Sequence, residues 1–206
     1  MTAAHTDPSV SAPKLGLRER KKLQTRQAIR QAAYRLFAEQ GYDATPVDRI
    51  AEVAEVSPST VFRYFPTKED IVLTDEYDPV IADTLRDRPA GEPPVTALRK
   101  TLTAVLAQMY EEDTAETLAR VRLICESPTI RARMTEHSAV TTRLLVEVLS
   151  ERTCRPVDDL ELRVVAGAAM GALTEAFFHW VETGQHGRLS DLVEDALRVL
   201  ERGLTL

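Results

Sequence analysis

Residues 45–65 read TPVDRIAEVAEVSPSTVFRYF, two short helices separated by a three-residue turn. Thr45-Pro46-Val47-Asp48 opens the first. Thr45 is placed to cap it, Pro46 suits a first helical turn, and Asp48 stands three residues after the cap. Val47, Ile50, Ala51 and Ala54 form its apolar stripe. Ser57 caps the second helix, with Pro58 in its first turn. Val61 and Phe65, four apart, face inward and leave Ser59, Thr60, Arg63 and Tyr64 nearer the outside. Ala51 suits a close crossing of the two helices. Together they form a helix-turn-helix, whose second helix is shaped to lie in the major groove of duplex DNA.

Upstream, the spacing predicts a helix over about Leu17–Gln40. Ile29, Ala32, Ala33, Leu36 and Phe37 share one face, and Gly41 is its stop. Arg18, Arg20, Lys21 and Lys22 crowd its start, with Arg26 and Arg30 further along. Cations at a helix N-terminus oppose the macrodipole. Phosphate contacts account for them, and so does solvated charge. Downstream, Thr67 caps a fourth helix with Asp70 in the capping-box position, and this helix is interrupted or bent near Pro79. Residues 88–94, RPAGEPP, read as a linker. Helical spacing then recurs over 95–111, 115–125, 129–152, 158–183 and 189–202. No strand-like alternation persists, and no repeat is visible. The expected fold is all-α with about nine helices: a disordered tail over 1–16, a helix-turn-helix domain over 17–66 and a helical domain over 67–206.

Composition narrows the function. The chain has 206 residues, 44% of them hydrophobic and 28% charged, which is ordinary for a globular protein. Its net charge of −6 is unevenly spread. Residues 1–68 carry 11 Lys or Arg against 7 Asp or Glu, whereas residues 69–206 carry 15 against 25. A basic front and an acidic back suit a protein that turns one end toward phosphates. The longest apolar run, residues 164–173, falls short of the roughly 20 residues that span a bilayer. Residues 1–16 lack an apolar signal segment and read as a frayed tail with Pro8 and Pro13, so a cytoplasmic protein without membrane partners is expected. Cys125 and Cys154 are too few for a disulfide framework and read as buried or idle thiols. No Gly-rich phosphate loop, nucleophile elbow or His-rich metal spacing occurs. Glu175 and His179, four apart, fit part of a metal site or a local polar patch. No catalytic residue, metal or cofactor is expected.

From about Arg26 to Asp70 the chain resembles the TetR family of bacterial transcriptional regulators. The resemblance rests on Ala32-Ala33, Leu36-Phe37, Gly41-Tyr42, Thr45 through Ile50-Ala51, Val56-Ser57 with Thr60, Phe62-Arg63-Tyr64-Phe65 and Lys68-Glu69. The remainder is similar only in its helices and total length. Two positions depart from the pattern. Glu55 stands in the turn where Gly is common, at a cost of about 1 kcal/mol if positive φ is required there. Phe62 stands where Tyr is frequent, so a hydroxyl able to reach a phosphate is missing. The resemblance implies a DNA-binding regulator, commonly a repressor, whose C-terminal part binds a small molecule and dimerises, usually through the last two long helices.

The expected DNA contacts are Thr45, Pro46, Ser57, Pro58, Ser59, Thr60, Arg63, Tyr64 and Lys68. The resemblance implies a phosphate clamp for Lys68, and the Thr45 and Tyr64 hydroxyls are further phosphate candidates. Ser59, Thr60 and Arg63 face the bases, with Pro58 as an apolar edge. Arg63 fits a bidentate contact to guanine or a phosphate equally well. A specific site needs two such helices about a dyad, reading a pseudo-palindrome. Ala168, Ala172, Phe177 and Trp180, with Leu197 and Leu200, suit that dimer interface, although an internal core helix needs the same residues. Leu102, Leu106, Met109 and Tyr110, with Leu123, Ile124, Leu145 and Phe178, suit an effector pocket or plain core. Residues 122–128, RLICESP, are similar to a subgroup thought to sense acyl-CoA-like molecules. That similarity implies a long apolar channel with cations near its mouth. The expected partners are therefore duplex operator DNA, a second copy of the chain, and an apolar or acyl-CoA-like effector. A DNA-organising protein or an activator of the same fold is the alternative.

Overall fold

The structure, a computed structural model, describes residues 17–74 and 77–205. The tail expected over 1–16 lies outside the described residues. Helix α1 (Leu17–Gln40) ends where Gly41 takes φ 88° and its amide bonds to the Phe37 carbonyl at 3.0 Å. Helix α2 (Val47–Val53) starts later than the spacing suggests. Pro46 occupies its N-cap without a side-chain bond, because the Thr45 hydroxyl turns back to the Gly41 carbonyl at 2.7 Å. The expected Thr45 cap is thus replaced by a bond that closes the α1–α2 turn.

Helix α3 (Pro58–Tyr64) is capped as expected: the Thr60 amide donates to Ser57 Oγ at 3.2 Å. In the turn before it Glu55 adopts φ 55°, the left-handed conformation that Gly takes without strain. Helix α4 (Lys68–Leu73) opens with the full capping box, Asp70 amide to Thr67 Oγ1 at 3.3 Å and Thr67 amide to Asp70 Oδ2 at 2.8 Å. The interruption near Pro79 is a clean break. Pro79 sits in the first turn of a separate helix α5 (Asp78–Arg86), where its missing N–H costs nothing.

Five helices complete the chain: α6 (Pro94–Glu112), α7 (Thr114–Glu126), α8 (Pro128–Thr153), α9 (Leu160–Glu182) and α10 (Leu189–Glu201). Every regular element among the described residues is helical.

Two apolar clusters hold the molecule together. The first is built on Ile29, Phe37, Ile50, Val61 and Phe65, and it also takes Ile71, Val72 and Leu73 from α4 and Ile124 and Ile130 from α7 and α8. In packing, α4 therefore goes with the front of the molecule, and the second cluster begins with α5. The segment expected as a linker is bolted down. Arg152 of α8 donates to the carbonyls of Leu85, Arg88 and Pro89, and Arg88 and Lys100 both pair with Glu92. Those two bonds hold the Glu92 carboxyl down to about 2.

Helix α9 is long and apolar enough, by length and composition, to cross a membrane, a property missed by counting only its longest uninterrupted run. Only 22% of its apolar window is buried within the single chain.

Candidate nucleic-acid interface

The orientation of α3 is fixed from beneath. Val61 and Phe65 are buried at 1% and 0% exposure, and Ala51 of α2 is buried at 1% where the helices cross. The Val56 amide reaches back to the Ala51 carbonyl at 3.0 Å, locking the turn that Glu55 makes. What remains outside is a strip of Pro58, Ser59, Phe62 and Arg63, with Thr60 and Tyr64 half-buried at its flanks. Ser57 Oγ lies 2.9 Å from both Ser59 Oγ and Thr60 Oγ1, so the three hydroxyls form one small cluster. The Arg63 guanidinium stands 5.2 Å from the Tyr64 ring centroid.

Three of the cations and hydroxyls expected at phosphates have other partners. Lys68 is not a free clamp. Its half-buried ammonium donates to the carbonyls of Tyr42 at 2.8 Å and Thr45 at 3.2 Å, and sits 4.1 Å over the Tyr42 ring. It ties α4 to the α1–α2 turn and has one of three protons left to give outward. Thr45 is fully buried, and its hydroxyl also accepts from Gln40 Nε2 at 3.1 Å, which removes it from the phosphate contacts. Arg30 is buried as well. It donates to the carbonyls of Ile71 at 3.3 Å and Thr74 at 2.9 Å, completing the C-terminal end of α4. Arg18, Arg20, Lys21 and Lys22 on α1 and Pro46 ahead of α2 are exposed.

Helix α4 joins this unit to the rest through bonds that local sequence does not announce. The carboxylate of Asp70, besides capping α4, meets His137 Nε2 of α8 at 2.9 Å. Burial alone would raise the Asp70 pKa, but the bonds from His137 and Thr67 outweigh it and lower it. At the other end of α4, Arg120 of α7 donates to the Leu73 carbonyl at 3.3 Å. The Tyr42 hydroxyl donates to Glu69 Oε1 at 2.8 Å; burial first and this bond second raise the tyrosine pKa.

Among the pocket candidates, Leu102, Leu106 and Leu145 are buried in the second cluster, with Met109, Tyr110 and Phe178 half-buried against it. Leu123 and Ile124 are displaced from that group: both pack into the first cluster, because their face of α7 covers α1. Leu123 lines a cleft of about 420 Å³ between α1 and α7, together with Tyr34, Phe37 and Tyr42. Arg131 stands 5.9 Å from the Phe178 ring centroid, a cation at the edge of the apolar interior.

Of the dimer candidates, Trp180 and Leu197 belong to the chain's own core at 2% and 1% exposure, so neither is available to a second copy. The Trp180 indole N–H reaches the Gly187 carbonyl at 3.4 Å. Ala168 is exposed, and Ala172, Phe177 and Leu200 are half-buried. The open apolar surface lies elsewhere on the same helix, at Leu160 and Val164 with Gly167 and Gly171, along a groove of about 1240 Å³ between α8 and α9. The sequence marks α9 as strongly apolar, but not which side its own chain fills. Cys125 is buried, which pushes its thiol up to about 11, whereas Cys154 is exposed just beyond α8.

Comparison with known proteins agrees with this geometry over nearly the whole chain. Residues 29–74 match the model for bacterial regulatory proteins of the tetR family, and residues 92–205 match the MftR C-terminal domain. The chain is 36% identical over 169 residues to the HTH-type transcriptional regulator TcmR of Streptomyces glaucescens, covering 77% of this chain and 75% of that one. It is 26% identical over 198 residues to the HTH-type transcriptional repressor AcnR of Corynebacterium diphtheriae, with 93% and 97% covered. Among solved structures, Thermus thermophilus FadR, a TetR-family repressor in complex with lauroyl-CoA, superposes with a TM-score of 0.54 at 26% identity over 88% of this chain and 95% of that one.

Proposed function

Because this chain belongs to the TetR family, whose members are DNA-binding transcriptional regulators rather than enzymes, we propose that it acts as a homodimeric repressor released from its operator by a small molecule. One observation carries the proposal: α4 is bonded to the helix-turn-helix unit at both ends, through Lys68 and through Arg30, and at both ends to the helices behind it. Asp70 with His137, and Leu73 with Arg120, give a shift of α7 or α8 a direct route into the unit that carries α3. A ligand that favours a shifted arrangement therefore changes the spacing of two dyad-related recognition helices. A ligand with equal affinity for both arrangements changes nothing.

The second copy is argued from α9, an apolar helix that keeps one apolar face exposed in the single chain. Leu160, Val164 and Ala168 supply area, and Gly167 and Gly171 allow close approach. The DNA contacts proposed are Ser57, Pro58, Ser59, Thr60, Arg63 and Tyr64 on α3 and its cap, with Pro46, the basic start of α1 and the remaining proton of Lys68 at phosphates. An operator on the chromosome places the protein in the cytoplasm. For the effector we favour an apolar tail with an anionic head, of the acyl-CoA type. The interior around Leu102, Leu106 and Leu145 is apolar, Arg131 stands beside Phe178 at its edge, and FadR holds lauroyl-CoA.

Genome-wide footprinting tests the proposal. A few pseudo-palindromic promoter sites, vacated on adding long-chain acyl-CoA, are the expected outcome. Scattered occupancy without a common site favours the DNA-organising alternative, and loss of transcription on deleting the gene favours an activator.

A further inference from the structure

We propose that Phe62 is a base-reading side chain that selects thymine through its 5-methyl group. The inference rests on the DNA-binding reading above and assigns chemistry to one position within it. Pro58, Ser59, Phe62 and Arg63 recur at spacings of three and four, so they share one exposed strip of α3. Phe62 is the largest apolar group on that strip and is 48% exposed, while Phe37, Tyr42 and Phe65 of the same unit are enclosed. Val61 and Phe65 anchor the helix from beneath, and Phe62 is not among the residues of the front cluster.

The other groups on the strip are partly committed. The hydroxyls of Ser57, Ser59 and Thr60 lie within bonding distance of one another, and Arg63 leans on Tyr64. A benzyl ring has no donor and cannot hold a phosphate. In the major groove the one apolar feature on a base edge is the thymine methyl, and phenylalanine is a side chain that meets it well. Pro58, one turn earlier, continues the apolar edge toward a neighbouring base.

The test begins with duplexes enriched by the wild-type protein from a random pool. Each thymine of the best duplex is then replaced singly by deoxyuridine, which removes only the methyl. One position per half-site is expected to lose about fourfold in affinity, the effect of uncovering ~0.8 kcal/mol of apolar carbon at 1.4 kcal/mol per tenfold. Phe62→Ala is expected to bind thymine and uracil duplexes alike at that position. A flat profile for the wild type overturns the inference without any variant, and so does an undiminished uracil penalty in Phe62→Ala. A pool with no enriched duplex contradicts the DNA-binding reading beneath it, which is a different result from a flat profile.

Discussion

The front and the back of this molecule keep their polar groups in order by different means. Around α3 the bonds are short-range: Ser57 to Thr60 spans three residues and Ser57 to Ser59 two. Around α4, and through the bundle behind it, the bonds are long-range: Lys68 to Tyr42 spans 26 residues, Arg30 to Thr74 spans 44 and His137 to Asp70 spans 67. The first kind builds a rigid reading head. The second attaches that head to whatever the bundle does, and a regulator needs both.

The largest expected effect tests whether the two regions fold together. Phe65→Ala in the front cluster and Leu145→Ala in the rear one are each expected to cost several kcal/mol, about 3–5 for the aromatic. Ile124 of α7 and Ile130 of α8 pack into the front cluster, so calorimetry should show one transition for both proteins. Two separate transitions would break the comparison.

Next comes Asp70→Asn, which removes the charge from the bond to His137 and is expected to cost about 1.5–3 kcal/mol at neutral pH. The folded-state pKa of Asp70 is lowered. Its contribution is therefore complete above the usual aspartate value of about 3.9 and fades as the pH falls below it. Urea unfolding at pH 7 and at pH 3 should show the gap between wild type and variant closing in acid.

Lys68→Ala sharpens the comparison further. The ammonium is bonded inward, so stability should fall by about 1 kcal/mol and operator binding should weaken. The salt dependence should change by less than the ~0.9 expected of a whole phosphate contact per site. A full change in slope with no loss of stability would restore the free clamp. The smallest effect is Glu55→Gly, which relieves the φ of 55° and should stabilise the chain by about 1 kcal/mol or less.

What the sequence made legible follows the same division. The ends of α1, the Ser57 cap, the Thr67–Asp70 box and the strained Glu55 turn were readable because each signal lies within a few residues of its effect. The Thr45 hydroxyl has two acceptable uses, capping α2 or closing the turn onto Gly41, and the fold takes the second. A phosphate role for Lys68 is what the family resemblance implies, and for Arg30 phosphate contact and solvated charge fit the sequence equally. Their actual acceptors are carbonyls brought near only by folding. His137 carries no local signal either, because folding alone brings it to Asp70. Trp180 and Leu197 suit dimer interface and core alike in the sequence, because both demand identical side chains, and only the packing of α9 against α10 distinguishes them.

The claim beneath all of this is that two copies present two α3 helices to one duplex. Sedimentation of the purified protein with a palindromic duplex from its own footprint, at low ionic strength, measures that stoichiometry directly. The account predicts a complex of two chains per duplex that dissociates as salt is raised and persists when one half-site is lengthened by a full helical turn less well than when it is intact. A single chain bound per duplex, or a monomer that ignores the duplex at low salt, would contradict it.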